Sequence, residues 1–127
     1  MAREIISTKN APSAIGPYSQ AVKVDGFLYC SGQIPLDPAT GQLVSGSIQD
    51  ETHQVLKNLF AILEAGGCKA TDVVKTTIFL KDMSTFSQVN EIYGSYFREP
   101  FPARACVEVA RLPRDVKIEI DAIAKVP

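Results

Sequence analysis

Tryptophan is missing from the 127 residues, histidine occurs once and cysteine three times. His53, Cys30, Cys68 and Cys106 lie far apart and give no ligand set for a metal, because protein zinc sites draw on several such groups at close spacing. They give no Cys-His or Ser-His-Asp arrangement either, since His53 stands among Asp50, Glu51 and Gln54 in a stretch that reads as a solvated helix face. Without a CxxC pair or an even cysteine count there is no disulfide framework, and free thiols in a reducing, cytoplasmic setting are expected. No apolar run approaches the ~20 residues that cross a bilayer, and the N-terminus lacks the apolar core of a secretory signal. A Gly-rich phosphate loop is also lacking. Charge of one sign is not in excess: 13 Lys and Arg against 14 Asp and Glu leave a net charge of −1 and no basic footprint for a nucleic-acid backbone. Arg111, Arg114, Lys117 and Lys125 are the nearest thing to a basic patch, and no aromatic stacking platform accompanies them.

What is present suits one α+β domain spanning residues 1–127. Hydrophobic residues make up 46% of the chain, enough for a core, and glycines and prolines fall as punctuation between periodic segments. Residues 4–8 and 19–24 read as strands, and Asp25-Gly26 is a tight hairpin turn into the strand 27–31. Leu36 and Leu43 are expected to pin the loop that follows. From Asp50 to Ala65, Val55, Leu59, Ile62 and Leu63 recur at helical spacing, and Gly66-Gly67 supplies a left-handed stop. Val73 to Leu80 is a β-branched strand, and Ser84 or Thr85 is placed to cap a second helix carrying Phe86, Val89, Ile92, Tyr93, Tyr96 and Phe97.

Ala103, Ala105 and Val107 alternate with Arg104, Cys106 and Glu108, and Ile118, Ile120 and Ala122 alternate with Glu119 and Asp121. Two amphipathic strands result. Joined as an antiparallel hairpin with both apolar sets on the core face, they would place Val107 against Ile118, Cys106 against Glu119 and Arg104 against Asp121. The order β-β-β-α-β-α-β-β then suggests a mixed sheet with both helices on one face. The 73–80 strand is apolar on both sides, so the uncovered face is expected to be an interface in a homo-oligomer.

Arg104, in a strand interior, invites either a carboxylate ligand or a structural ion pair with Asp121 or Glu119. Glu119, among Ile118, Ile120 and Ala122, is either a carboxyl tuned to handle water or an exposed strand glutamate. Cys106 reads as a packing residue whose backbone matters more than its sulfur, because no base is at hand to make a thiolate.

The run Pro102-Ala103-Arg104-Ala105-Cys106-Val107 with Ile118-Glu119-Ile120, together with Gly16 to Ala21 and Ser31 to Pro38, closely resembles the RidA (YjgF) family, and the likeness covers essentially the whole chain. The resemblance implies a chorismate-mutase-like fold, a homotrimer with clefts between subunits, and a cofactor-free deaminase. Its substrates would be 2-imino acids and their enamines, such as 2-aminoacrylate, 2-iminopropanoate and 2-iminobutanoate, released by pyridoxal-phosphate-dependent dehydratases. By the same resemblance Arg104 would grip the substrate carboxylate, with the main chain of Cys106 and Gly32 beside it. Glu119 would hold the attacking water, and Tyr18, Ser31 and Asn90 would shape the cleft, Tyr18 and Ser31 coming from the subunit next to that of Arg104. Two rival readings remain at this point: an endoribonuclease or translation inhibitor, and a non-catalytic sensor of keto or amino acids.

Overall fold

A computed structural model describes residues 2–127. The first strand, β1 (Glu4–Ile6), pairs antiparallel with β2 (Ala21–Val24), which turns back into β3 (Phe27–Gln33). The turn is made by Asp25 and Gly26, both at positive φ (53° and 79°), as a two-residue hairpin of matching twist requires. Next come helix α1 (Ile48–Ala65), strand β4 (Val73–Leu80), helix α2 (Phe86–Tyr96) and strands β5 (Ala103–Glu108) and β6 (Ile118–Lys125). This is the element order expected from the sequence.

Helix α1 starts two residues before Asp50, where the Ser47 hydroxyl accepts the Asp50 N–H at 3.1 Å. It stops where Cys68 N–H reaches back to the Leu63 carbonyl (2.8 Å) and Gly67 takes φ 82°. Gly66, by contrast, is needed for space, since a Cβ there would run into Leu28. Thr85 occupies the N-cap position of α2 without a side-chain cap, while Asp82 caps the short 3-10 turn ahead of it by accepting from Ser84 N–H at 2.9 Å.

The six strands form one mixed sheet in the order β1-β2-β3-β6-β4-β5. Both helices cover the same face, over a core that includes Leu28, Val55, Leu59, Ile62, Ile78, Leu80, Ile118 and Ile120. The other face carries Val22, Phe27, Tyr29, Phe79, Val107 and Ile123 and has no covering element among the described residues; Tyr29 and Val107 are exposed.

The last hairpin expected from the sequence does not form. β4 lies between β5 and β6, parallel to the former and antiparallel to the latter, so Arg104 pairs with Thr76, and Asp121 with Thr77. The cause is the β4–α2–β5 crossover, which sets β5 beside β4 and lets α2 cover the pair. The sides of β5 are reversed as well. Arg104 and Cys106 share the helix-covered face with Thr76 and Ile78, whereas Ala103, Ala105 and Val107 join the uncovered face. Alternation alone could not choose between two faces that are both apolar.

Candidate active site

β5 is an edge strand, and Arg104 rises from it toward α2, which meets it with one helical stripe: Phe86, Asn90 and Tyr93. Asn90 Oδ1 accepts a hydrogen bond from Arg104 Nη1 at 2.8 Å. The guanidinium carbon lies 4.9 Å from the Tyr93 ring centroid and 5.3 Å from that of Phe86. Both rings attract the cation while leaving its edge open. Among the described residues, Nε–H and Nη2 have no partner, and together they present two parallel donors of the kind that fit a carboxylate. An internal ion pair with Glu119 or Asp121 is ruled out by the register, which puts both carboxylates on the opposite side of the sheet from Arg104.

Beside the guanidinium opens a cavity of about 440 Å³ lined by Asn90, Tyr93, Gly94, Phe101, Pro102 and Arg104. Cys106 follows on the same side of β5, half-buried against the core. Burial pushes its thiol up, and the Arg104 charge only partly offsets this. A thiol so placed is a poor nucleophile at neutral pH.

The second group of residues belongs to the middle of the sheet. Glu119 lies on β6, opposite Phe79, and points to the uncovered face. β3 is irregular between Cys30 and Gln33, and Gly32 sits in that irregularity. A Cβ on Gly32 would collide with the Glu119 carboxylate, whose Cδ would be 2.9 Å away, so glycine is what lets the backbone and the carboxyl approach. Burial, and then the Asp121 charge two residues on, raises the Glu119 carboxyl above its ordinary range. Asp121 is raised too, by burial, against hydrogen bonds from Thr77 and the charge of Lys75.

Gly32 also lines a cavity of about 270 Å³ with Tyr18, Ile34, Pro113 and Arg114. The loop bearing Tyr18 is held by Gln20. Its buried amide donates to the Thr8, Ala11 and Pro12 carbonyls at 3.1, 3.3 and 2.7 Å and accepts the Thr8 N–H at 2.7 Å. Asn58 on α1 fixes the far wall by donating to the carbonyls of Ile34 and Leu36 at 3.1 and 2.8 Å. The Ser31 hydroxyl is committed to the Ser19 carbonyl at 2.6 Å, so it ties β3 to this loop.

The structure thus brings Arg104, Asn90 and Cys106 together, and separately Tyr18, Ser31, Gly32 and Glu119. It does not unite the two groups within one chain, because the sheet itself stands between Arg104 and Glu119. Phe86, Tyr93 and Gln20 escaped the sequence reading. Phe86 and Tyr93 passed for core, although an asparagine between them on one helical face was a usable signal. His53 is exposed and shares a 3.0 Å hydrogen bond with Tyr96. Among the described residues no cluster of His, Cys, Asp and Glu could hold a metal ion, and no helix is long and apolar enough to cross a membrane.

Residues 8–126 match the protein-family model described as Endoribonuclease L-PSP. The human 2-iminobutanoate/2-iminopropanoate deaminase is 57% identical over 122 residues, covering 96% of this chain and 89% of the human one. The crystal structure of the Escherichia coli YjgF gene product superposes with a TM-score of 0.92 at 50% identity, covering 98% of this chain and 99% of that one. That of E. coli TdcF, which carries bound serine, gives a TM-score of 0.91 at 45% identity, covering 96% and 98%.

Proposed function

The chain belongs to the RidA/YjgF (endoribonuclease L-PSP) family, and on that premise we propose that it is a deaminase hydrolysing 2-imino acids and their enamines to 2-keto acids and ammonia. The observation that carries this reading is the pair of complementary half-sites: a guanidinium with a free donor edge, and a carboxyl of raised pKa packed against a glycine.

The substrate carboxylate docks on Nε–H and Nη2 of Arg104, with backbone groups on the free side of β5 near Cys106, and of Gly32, available beside it. This fixes the C=N carbon near a water held by Glu119, and such positioning lowers the barrier without a covalent nucleophile. Glu119 takes a proton from the water as its oxygen bonds to the imine carbon and passes that proton to the imine nitrogen, which gives a carbinolamine and restores the carboxylate. The carbinolamine then collapses: the C–N bond breaks as Glu119 carries the hydroxyl proton to the departing nitrogen, the C=O bond forms, and ammonia leaves. A carboxyl whose pKa is raised toward neutrality is suited to both transfers. Arg104, Glu119, Tyr18, Gly32 and Asn90 thus contact or shape the substrate space, and no cofactor takes part.

Because one chain presents these halves on opposite sides of its sheet, the site is completed between copies, in a homotrimer that also covers the apolar face bearing Tyr29 and Val107. Substrates of this class arise from pyridoxal-phosphate-dependent dehydratases. The serine bound to E. coli TdcF supports an amino-acid-sized carboxylate ligand. The three free cysteines fit a cytoplasmic setting. RNA cleavage, despite the family's description, has little support in this geometry: the lone histidine is engaged with Tyr96 and the net charge is −1.

The test couples purified protein to a threonine dehydratase and follows keto-acid release while a scavenger competes for free imine. Wild type is expected to accelerate release. Arg104→Ala is expected to weaken pyruvate binding about 10- to 150-fold, as loss of a charged two-point hydrogen bond implies, and Arg104→Lys to restore only part of it. Tight pyruvate binding with no acceleration would identify a sensor and not an enzyme.

A further inference from the structure

The grip of Arg104 rests on a second residue that nothing above assigns to the reaction. Thr76 is wholly buried on β4, yet its hydroxyl lies 2.7 Å from the Tyr93 hydroxyl, which is itself buried under α2. The Tyr93 ring packs on Phe97, centroids 4.5 Å apart, so the ring is held both at its tip and on its side. A valine and a phenylalanine would fill this space at nearly the same volume, and a hydrogen-bonded pair replaced by apolar groups of like shape is close to neutral for stability. What the hydroxyl pair adds is orientation: it sets the direction of the one ring that stands nearest the guanidinium.

That direction matters because Arg104 comes from an exposed edge strand and has a long, flexible side chain with one hydrogen bond, to Asn90. One such bond leaves the plane of the guanidinium free to turn about it. Tyr93 and Phe86, about two turns apart on one stripe of α2, restrict that rotation by ring contacts that use none of the donors. We propose that Tyr93, locked by Thr76, is a positioning residue that together with Phe86 pre-sets the Arg104 guanidinium so that Nε–H and Nη2 face the carboxylate of the incoming 2-imino acid.

This rests on the deaminase reading for the identity of the substrate, but the grip can be read with pyruvate alone. Binding of pyruvate, KM and kcat for imine, thermal midpoint and the Arg104 Nε–H resonance are measured on wild type, Tyr93→Phe, Tyr93→Leu and Phe86→Leu. Ring currents from the two aromatic neighbours should shift that resonance away from the other arginines in wild type. Tyr93→Phe keeps the ring but loses the bond to Thr76, so the shift should shrink without vanishing and the pyruvate Kd and KM should rise together by about 2- to 3-fold. A Tyr93→Phe protein identical to wild type would overturn the locking role of Thr76. Tyr93→Leu should lose the shift, raise the pyruvate Kd and the KM together by about 10-fold and leave kcat nearly unchanged, since a lost cation–ring contact at a partly desolvated site is of that size. Phe86→Leu, at a half-buried position that disturbs the core less, should do the same by about 3-fold and carries the test if Tyr93→Leu does not fold. If the leucine variants lower only the thermal midpoint, with Kd and KM as in wild type, Tyr93 is a core residue and the proposal fails. If Tyr93→Phe lowers kcat sharply with KM unchanged, the phenol takes part in the chemistry, and positioning is again the wrong account. A wild-type protein that binds pyruvate but turns over no imine would sink the deaminase reading while leaving the grip measurements interpretable.

Discussion

The two half-sites are built by opposite means. Glu119 stands on β6, which has β3 on one side and β4 on the other, and its carboxyl is pressed against the backbone of Gly32. Arg104 stands on the outermost strand, and everything that holds its guanidinium is a side chain of α2. The carboxyl therefore has its place set by main-chain geometry, and the guanidinium by rotamers and rings. In the proposed mechanism the half that handles water is the one fixed by the sheet, and the half that must receive and release an anion is open on one edge.

The contrast matters most if the halves act in different copies, and mixing them is the strongest way to break it. In the homotrimer proposed above, Arg104→Ala and Glu119→Gln proteins should each be nearly inactive, yet subunits dissociated together and reassembled at equal ratio should regain roughly a quarter of wild-type turnover, because one cleft in four then combines the two intact halves. No recovery, with mixed trimers verified by mass, would place both residues in a cleft of a single chain.

A smaller effect sharpens the difference between backbone and side-chain control. Gly32→Ala inserts a methyl where the Glu119 carboxyl lies, so kcat should drop about 10- to 100-fold, as displacement of a reacting group by a fraction of an ångström to an ångström does. Pyruvate affinity, which the proposed mechanism assigns to Arg104, should change much less. Equal losses in both would show that the halves are not separable.

The smallest effect concerns stability and pH. Burial raises the Glu119 carboxyl in the folded protein, so the folded state holds its proton more tightly than the unfolded chain. Stability from this group is therefore present at low pH and is lost as pH rises from the ordinary carboxyl value, about 4, through the raised one. Glu119→Gln should raise the thermal midpoint at pH 7.5 by on the order of a few degrees, and the gain should fade toward pH 4, where the wild-type group is already neutral. A gain that did not depend on pH would point to packing, not charge.

Much of the molecule was legible in the sequence because its local signals agree. The Asp25-Gly26 turn, the α1 stripe ended by Gly66-Gly67, and the two alternating strands near the C-terminus all form where expected. The pairing of those last strands was not legible, since register within a strand says nothing about which strand is its neighbour, and β4 enters from some thirty residues upstream of β5. The same limit hid the site: Arg104 and Glu119 were recognisable as residues, but the sheet face of each depends on what covers β5, and both faces there are apolar. Tyr93 was hidden for another reason, because a tyrosine in an apolar helical stripe looks like any core residue until the group beneath its ring is known.

The position of β5 has a further consequence, for colloidal behaviour. A lone chain offers one side of this strand as an unpaired backbone template next to the exposed Val107, a surface to which other strands can add. Pro102 at its entrance and the charge of Arg104 within it are the residue types that discourage such addition. Replacing Arg104 by alanine leaves Pro102-Ala103 followed by Ala105-Cys106-Val107 with no charge before Glu108, so the side chain proposed to bind substrate is also the residue type that guards a lone subunit's open edge against fibrous self-association.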